Sequence, residues 1–410
     1  MLTFGSLESK PITSTLSMKR NLTEDILYIG TDDTTIEKFE SQYIVPEGMA
    51  YNSYLILDEK VAIMDTVDAR KGEEWKAGLE EALSGAQPDY LVVQHLEPDH
   101  SSLIQWVVET YPGVTVVASA KALSMLGQFF PTGNFEGRTL AVKEGDTLSL
   151  GRHSLMFFMA PMVHWPEVMV SFEELSGTLF AADAFGKFGA LSKCGFYGGD
   201  DSDWACEGRR YYFNICGKYG APVQALLRKV LPLPISRICS LHGPILDDDL
   251  GYYINLYDTW SSYGVESEGV VVAYASIHGG TGVVAGKIAE MIRERGVKAV
   301  LCNLCDGDPA EDVEDAFRYG KLIVAACSYD AGLFPPAHEF IHHLQDKAYQ
   351  NRTVGLVENG SWAPSAGRVM KEMFSSMKNV KIVEPLVTIK SRMKEEDIPS
   401  LRALVDAVLM

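Results

Sequence analysis

The regular alternation of apolar strands and helices after residue 263 constrains the fold more than any other feature of this sequence. Five short apolar runs follow one another, and a segment of helical composition lies after each run. The predicted strands are Val270–Ala273, Lys298–Leu301, Leu322–Ala326, Thr353–Val357 and Val380–Val383. Strands that alternate with helices form a parallel sheet with helices on both faces. We therefore predict a doubly wound, five-stranded parallel sheet for residues 264–410.

The first part of the chain has a different character, because short β runs dominate it. The predicted strands are Tyr43–Val45, Ser53–Leu57, Val61–Asp65, Tyr90–Gln94, Thr115–Ala118, Ser154–Ala160, Glu167–Phe172 and Thr178–Ala181, and the predicted helices are Leu103–Thr110, Ala120–Phe130 and Gly208–Val230. The pattern changes at the Gly/Ser/Glu stretch Tyr263–Gly269. Since 410 residues are enough for two hydrophobic cores, we predict two domains, residues 1–263 and 264–410.

Charge and composition argue against several classes of function. The chain has 36 basic and 55 acidic residues and a net charge of −19, so it repels the phosphates of nucleic acids. The richest apolar stretch, Leu155–Val170, is interrupted by Pro161 and Glu167, which argues against a membrane span. Seven cysteines do not suggest a disulfide framework, and we expect a cytoplasmic protein. The Ser/Thr-rich start of the chain is predicted to be a disordered extension or a transit segment.

Candidate metal ligands are concentrated in the segment His95-Leu-Glu-Pro-Asp-His100, directly after a buried predicted strand. His164, Asp183 and His242 each end a further predicted strand. A β-sandwich gathers such loops at one edge, and imidazoles and carboxylates that converge there indicate a metal site. Taken singly, each would be an ordinary polar residue. His153, in a Gly-Arg-His-Ser turn, is predicted to lie at the surface.

The pattern His-x-Glu-x-Asp-His, followed by a histidine, an aspartate and a histidine, resembles the metallo-β-lactamase fold, an αββα sandwich. Hydrolases of this fold usually have histidine where this chain has Glu97, and they usually bind zinc. The glutamate and the segment Leu179-Phe-Ala-Ala-Asp-Ala-Phe-Gly186 are instead similar to the flavodiiron proteins. This resemblance implies two irons and a catalytic site of seven ligands: His95, Glu97 and His164 on one iron, Asp99, His100 and His242 on the other, and Asp183 bridging both. Mixed nitrogen and oxygen donors suit a redox metal such as iron.

Three loops of the second domain are predicted to hold a flavin, because they follow the strands at the edge where a doubly wound sheet binds its ligand. The first loop joins a strand to a helix and can cradle a phosphate. The predicted residues are Ser276, Ile277, His278, Gly279, Gly280 and Thr281 in the first loop, Ser328, Tyr329, Asp330 and Gly332 in the second, and Asn359, Gly360, Ser361 and Trp362 in the third. The domain resembles flavodoxin, which implies FMN. Cys327-Ser328 and Asp330 depart from the family's usual Pro-Thr and Asn, and His278 is also unusual.

The resemblance implies a soluble oxidoreductase that reduces dioxygen to water, nitric oxide to nitrous oxide, or both, at a non-haem diiron centre supplied with electrons through FMN. It also implies a head-to-tail homodimer, or a tetramer of two such dimers. The chain ends soon after the flavodoxin-like domain, so we expect an external electron donor, a rubredoxin-like protein or reduced F420.

One alternative is a zinc hydrolase of the metallo-β-lactamase fold with a flavodoxin-like appendage. Another is an electron-transfer module whose metal is only structural. The sequence does not choose between dioxygen and nitric oxide, because both need the same ligands.

Overall fold

Two β-sheets stack on each other in the first part of the computed structural model, which describes residues 20–201 and 203–410. The first sheet contains, in spatial order, Arg20–Asn21, Ile26–Tyr28, Tyr54–Ile56, Ala62–Met64, Tyr90–Val93, Thr115–Ser119 and Thr139–Val142. The second contains Thr147–Ser149, Ser154–Met159, Met169–Glu173, Thr178–Phe180 and Arg237–Cys239. Two small hairpins pair Thr31–Asp33 with Met49–Tyr51 and Lys38–Phe39 with Tyr43–Ile44. The predicted N-terminal extension or transit segment lies outside the described residues.

Strand Tyr90–Val93 shows why the sheets are covered on both faces. Val92 belongs to the apolar cluster between the two sheets, whereas Leu91 and Val93 pack in the cluster that contains Trp75 of an outer helix, because successive side chains point to opposite faces. The helices of this part are Gly72–Leu83, Pro98–Ser101, Ile104–Thr110, Ala120–Phe129, Leu191–Cys194, Trp204–Ile215, Gly220–Val230 and Leu250–Ser261, and the 3₁₀ turns are Ala69–Lys71, Gly198–Asp200 and Gly217–Tyr219. The predicted αββα sandwich is confirmed.

The second part is built on one parallel sheet. Its spatial order is Ala299–Asn303, Ser267–Ala275, Tyr319–Tyr329, Thr353–Asn359 and Lys381–Ile382, with Gly332–Leu333 and Val387–Ile389 paired to its inner strands. Its helices are Gly280–Arg293, Pro309–Arg318, Pro335–Asp346, Ala366–Ser375 and Ile398–Leu409, with a 3₁₀ turn at Glu395–Asp397. The first strand of the chain order lies inside the sheet, between the second and the third. This is the doubly wound, flavodoxin-like arrangement predicted from the sequence.

Two predicted elements are divided in the structure. The fifth strand, predicted as Val380–Val383, consists of Lys381–Ile382 and Val387–Ile389, and both pieces pair with Thr353–Asn359. Pro385 lies between them and has no N–H for the ladder. The helix predicted over residues 208–230 is two helices separated by the 3₁₀ turn Gly217–Tyr219, at glycines, which weaken a helix.

The two parts pack against each other through helices Trp204–Ile215 and Pro309–Arg318. Phe213 stacks on Phe317 with 4.3 Å between ring centroids, and the buried Arg209 guanidinium pairs with the Glu314 carboxylate. One continuous apolar cluster runs through this contact. The domain boundary between residues 263 and 264 stays a prediction. It falls in the connection between helix Leu250–Ser261 and strand Ser267–Ala275.

The helices are short, and the cysteines are reduced. The longest helix in the described part of the chain, Gly280–Arg293, has 14 residues, and none there is long and apolar enough to cross a bilayer. All seven cysteines lie within the described ranges, and all seven are free thiols.

Candidate metal centre and nucleotide cavity

The loop His95–His100 is held by the ends of two parallel strands. Strand Tyr90–Val93 leads directly into it, and Asp65 follows the neighbouring strand. The Asp65 carboxylate accepts hydrogen bonds from the Gln94 backbone N–H at 2.7 Å and from its side-chain amide at 3.1 Å. The one-turn helix Pro98–Ser101 then directs two of the predicted ligands inward. The loop is therefore fixed at both ends before any ligand binds.

The first group of ligand atoms belongs to His95, Glu97, His164 and Asp183. The Glu97 Oε2 atom lies 3.2 Å from His95 Nε2 and 3.0 Å from His164 Nε2. The Asp183 Oδ2 atom lies 3.4 Å and 3.2 Å from the same two nitrogens. Each residue offers one ligand atom, and all four atoms lie within 4.8 Å of one another. Such a set can hold one metal ion.

The second group belongs to Asp99, His100 and His242. The two Nε2 atoms are 3.0 Å apart, and the Asp99 Oδ2 atom is 3.3 Å from His100 Nε2 and 3.2 Å from His242 Nε2. The other oxygen of Asp183, Oδ1, lies 3.3 Å from His100 Nε2 and 3.8 Å from His242 Nε2. Asp183 thus presents one carboxylate oxygen to each group, which is the geometry that a bridging ligand requires.

Hydrogen bonds to the outer ring nitrogens fix the imidazole tautomers. The His95 Nδ1–H donates to Glu167 Oε1 at 2.8 Å, and the His242 Nδ1–H donates to the Ala50 carbonyl oxygen at 2.8 Å. In each ring the Nε2 lone pair is then left to face the cluster, which is how protein histidines are prepared to bind a metal.

The electrostatics of the cluster call for positive charge at its centre. Burial by itself would lower the pKa of His164, but the Asp183 and Glu97 carboxylates raise it to about 9. Burial opposes ionisation of Asp183, yet the neighbouring imidazoles, His95 first, hold its pKa well below the usual range. Both carboxylate oxygens of Asp99, His164 Nε2 and Asp183 Oδ1 are buried without a hydrogen-bond partner. Because buried polar atoms without a partner are costly, these donors fit a bound cation.

A cavity of about 430 Å³ leads from the surface to His164. Its lining residues are Glu40, Gln42, Tyr43, His164, Trp165, Asn214, Ile215, Lys218, Tyr219, Asp346 and Lys347. We call it the metal mouth. Lys347, from the second part of the chain, donates a hydrogen bond across it to the Asn214 carbonyl oxygen. The hairpin tip at its rim places Glu40 and Ser41 at φ values of 48° and 60°, a strained conformation for residues other than glycine.

A second cavity, of about 750 Å³, opens at the carboxyl ends of the parallel strands. Twelve of the fourteen predicted flavin-binding residues line it: Ser276, Ile277, His278, Gly280, Thr281, Ser328, Tyr329, Asp330, Asn359, Gly360, Ser361 and Trp362. Gly279 and Gly332 are not part of the lining. Gly279 instead precedes helix Gly280–Arg293 with a φ of 84°, and Gly332 pairs with Tyr329 to close a hairpin. We call this space the nucleotide cavity.

The nucleotide cavity has the chemistry expected for a phosphorylated aromatic ligand. The Ser276 hydroxyl is buried without a partner, next to the start of helix Gly280–Arg293, whose free N–H groups attract anions. Farther along, Tyr329 and Trp362 are 46% and 91% exposed, so their aromatic rings are available to stack on a flat ring system.

Known proteins resemble this chain in sequence and in fold. Residues 49–243 match the model of the ODP family of beta lactamases. An anaerobic nitric oxide reductase flavorubredoxin of Aliivibrio fischeri is 27% identical over 353 residues, which cover 84% of this chain and 70% of that protein. Two solved structures share the fold at 23% identity: rubredoxin:oxygen oxidoreductase from Desulfovibrio gigas, with a TM-score of 0.90 over 95% of this chain and 97% of that one, and the flavodiiron protein of Giardia intestinalis, with 0.87 over 95% and 96%. The chain is a relative of the flavodiiron proteins.

Several residues that shape the sites of this flavodiiron relative were not predicted from the sequence. Asp65 and Glu167 support the loop His95–His100 by hydrogen bonds. In the sequence, however, a carboxylate next to a strand cannot be distinguished from a carboxylate at the surface. Ser391 and Arg392 line the nucleotide cavity, although they belong to none of the three predicted loops.

The surface prediction for His153 was wrong: the residue is 1% exposed, and its Nδ1–H donates to Glu173 at 2.9 Å.

We expect Glu167→Ala to weaken iron retention by about 10- to 100-fold, because His95 loses the partner that orients its ring. Glu167→Gln should lie between this variant and the wild type, since an amide oxygen still accepts the hydrogen bond but carries no charge. The measurement is the iron that remains after incubation with a chelator. Glu174→Ala, at an exposed carboxylate of the same region, is the matched control. Equal iron retention by the two alanine variants would contradict a positioning role for Glu167.

Proposed function

We propose that this flavodiiron relative is an oxidoreductase that reduces dioxygen to water, nitric oxide to nitrous oxide, or both. The observation that carries the proposal is the placement of Asp183, with one oxygen directed at each of two groups of ligand atoms. Two irons held there would supply coordination positions and electrons for the gas, and FMN in the nucleotide cavity would relay electrons from a donor. The seven proposed ligands are His95, Glu97, Asp99, His100, His164, Asp183 and His242.

The protein surrounding these ligands controls access to them. Six of the seven are buried, and Glu97 has a side chain only 15% exposed, so bulk water is largely excluded from the reacting centre. The metal mouth reaches the cluster at His164. Its rim carries charged groups of both signs, including Glu40 and Lys347. A diatomic gas can pass such an opening.

In the nucleotide cavity, we propose that the Ser276 hydroxyl, the Thr281 hydroxyl and the start of helix Gly280–Arg293 hold the phosphate of FMN. Tyr329 and Trp362 flank its ring system. The hairpin that carries Tyr329 turns through Asp330 and Ala331, both with positive φ, which fixes the height of the tyrosine ring above the cavity.

The two sites lie too far apart within one chain for direct contact. Helix Pro335–Asp346 begins beside the nucleotide cavity, just after the hairpin that carries Tyr329, and ends at the metal mouth. Its 12 residues span about 18 Å at 1.5 Å per residue. Electron transfer weakens steeply with distance. We therefore propose a head-to-tail homodimer, or a tetramer of two, in which the nucleotide cavity of one chain faces the metal mouth of its partner.

The electron donor is proposed to be a separate molecule, a rubredoxin-like protein or reduced F420. One of the similar structures is a rubredoxin:oxygen oxidoreductase, and the Aliivibrio fischeri relative is a flavorubredoxin. The nucleotide cavity is open to solvent beside the exposed Trp362 ring, so a donor can approach the flavin from outside.

The purified protein is expected to be yellow and to contain about one FMN and two irons per chain, because one nucleotide cavity and two groups of ligand atoms are present. Absorption spectroscopy and elemental analysis of protein expressed with abundant iron give the measurement. Two zinc ions and no iron from such a preparation would favour the zinc hydrolase instead.

A further inference from the structure

A loop outside the three predicted flavin loops forms a fourth wall of the nucleotide cavity. It comprises residues 390–394, after strand Val387–Ile389. The Asn359 side chain makes two hydrogen bonds to the backbone of this loop. Its amide donates to the Ser391 carbonyl oxygen at 2.9 Å, and its oxygen accepts from the Ser391 N–H at 3.0 Å. The Ser361 and Ser391 hydroxyls are 2.8 Å apart. The wall is therefore fixed to the third flavin loop.

This wall meets the end of the cavity where the phosphate cradle lies. A Cβ atom on Gly280, the first residue of the cradle helix, would lie 3.2 Å from the Ser391 carbonyl oxygen. The Asn359 amide that holds Ser391 is also 3.4 Å from the Thr281 hydroxyl. The next residue along the wall, Arg392, also lines the cavity and directly follows the residue that meets the cradle helix.

Arg392 brings a guanidinium to the lining of the nucleotide cavity. Among residues 20–201 and 203–410, no carboxylate forms an ion pair with it, although the chain carries a net charge of −19. The one carboxylate in the cavity lining, Asp330, belongs to the second loop. A free guanidinium and the buried Ser276 hydroxyl without a partner are both complementary to a phosphate dianion, which arginine can bind through two parallel hydrogen bonds.

We propose that Arg392 binds the phosphate of FMN and makes the cavity selective for the phosphorylated flavin over riboflavin. This inference rests on the proposed binding of FMN and adds to it a cation that the three flavin loops do not contain. The guanidinium donates hydrogen bonds to the phosphate oxygens, and Ser276 and the helix start bind the same group. Riboflavin has the same ring system as FMN but no phosphate. Loss of Arg392 is therefore expected to weaken the binding of FMN and not that of riboflavin.

The test compares FMN and riboflavin on the full-length chain freed of flavin. Binding is followed by quenching of flavin fluorescence in the wild type, Arg392→Met and Lys390→Met. Lys390 is the matched control, because it carries the same charge in the same loop, is exposed, and does not line the cavity. We expect Arg392→Met to weaken FMN binding by about tenfold or more and to leave riboflavin binding within about twofold. Lys390→Met should change neither by more than about twofold.

Three outcomes would overturn the role of Arg392. They are an unchanged FMN affinity in Arg392→Met, an equal loss for FMN and riboflavin, or an equal FMN loss in Lys390→Met, which would indicate only long-range attraction. In each case the wild type still binds FMN, so the proposed function survives. A wild-type protein that binds neither flavin would instead contradict the proposed function itself.

Discussion

Asp183→Ala is expected to lower the turnover of dioxygen and of nitric oxide by at least about 1,000-fold, while about one FMN per chain stays bound. The two oxygens of Asp183 reach both groups of ligand atoms. Its loss therefore removes an anionic ligand from both proposed irons, and metal-based stabilisation of several kcal/mol corresponds to this factor. Gas consumption with a chemical reductant and the flavin absorption of the purified variant give the two measurements.

The effect of Asp183→Ala must be separated from general damage to the fold. Asp248→Ala removes an exposed carboxylate of the same domain and should keep wild-type turnover, iron and FMN. Asp183→Asn preserves the shape of the side chain and should lose iron nearly as Asp183→Ala does, because the charge is absent. Substantial turnover in Asp183→Ala with both gases would show that the proposed bridge is wrong.

Two inactive variants are expected to restore activity when their subunits exchange. One, His95→Ala/Asp183→Ala, lacks the metal site, and the other, Ser276→Asp/Thr281→Asp, repels the FMN phosphate. Because the nucleotide cavity and the metal mouth lie at opposite ends of helix Pro335–Asp346, we expect electrons to cross between subunits. A hybrid dimer then keeps one intact pair of sites and about half of the wild-type rate. Gas consumption is measured against the fraction of hybrid after exchange.

The matched control for this experiment is a subunit with all four substitutions. Mixed with either inactive variant, it forms hybrids of the same size that contain no intact pair, so these mixtures should stay inactive. Recovery in those mixtures would mean that exchange alone changes the rate. A verified hybrid of the first two variants without activity, or a dilute monomer with full activity, would contradict transfer between chains.

The fold could be predicted from the sequence because its strands are apolar runs with regular spacing. Residues 353–357 are one such run, and the structure extends it to Thr353–Asn359. Helix Gly72–Leu83 was not predicted. Its buried residues, Trp75 and Leu79 among them, are spaced for one helical face, but glutamates and lysines separate them in the sequence. The division of the fifth strand depends on Pro385, a signal that was present and not used.

The grouping of the seven proposed ligands could be predicted because imidazoles and carboxylates at the ends of strands are chemically distinctive. Their supporting residues could not, since the role of Glu167 depends on a contact with His95 across 72 positions. Arg392 is a similar case, because its loop is brought to the nucleotide cavity by hydrogen bonds between residues distant in the sequence, such as Asn359 and Ser391. His153 was misplaced for the same reason, since its partner Glu173 lies on the neighbouring strand.

The apolar cluster shared by the two parts of the chain has a consequence for how this protein can change over evolutionary time. Phe213 and Phe317 belong to one packed unit. Arg209 would keep a buried charge without a carboxylate partner if the part with Glu266 and Glu314 were exchanged. An electron-carrying module can be moved between proteins only where its boundary is wet and loosely packed. Here the contact between the two parts is closely packed. We therefore expect the flavodoxin-like half to be inherited together with its sandwich, and a change of the proposed electron donor to alter residues at the rim of the nucleotide cavity rather than to replace the module.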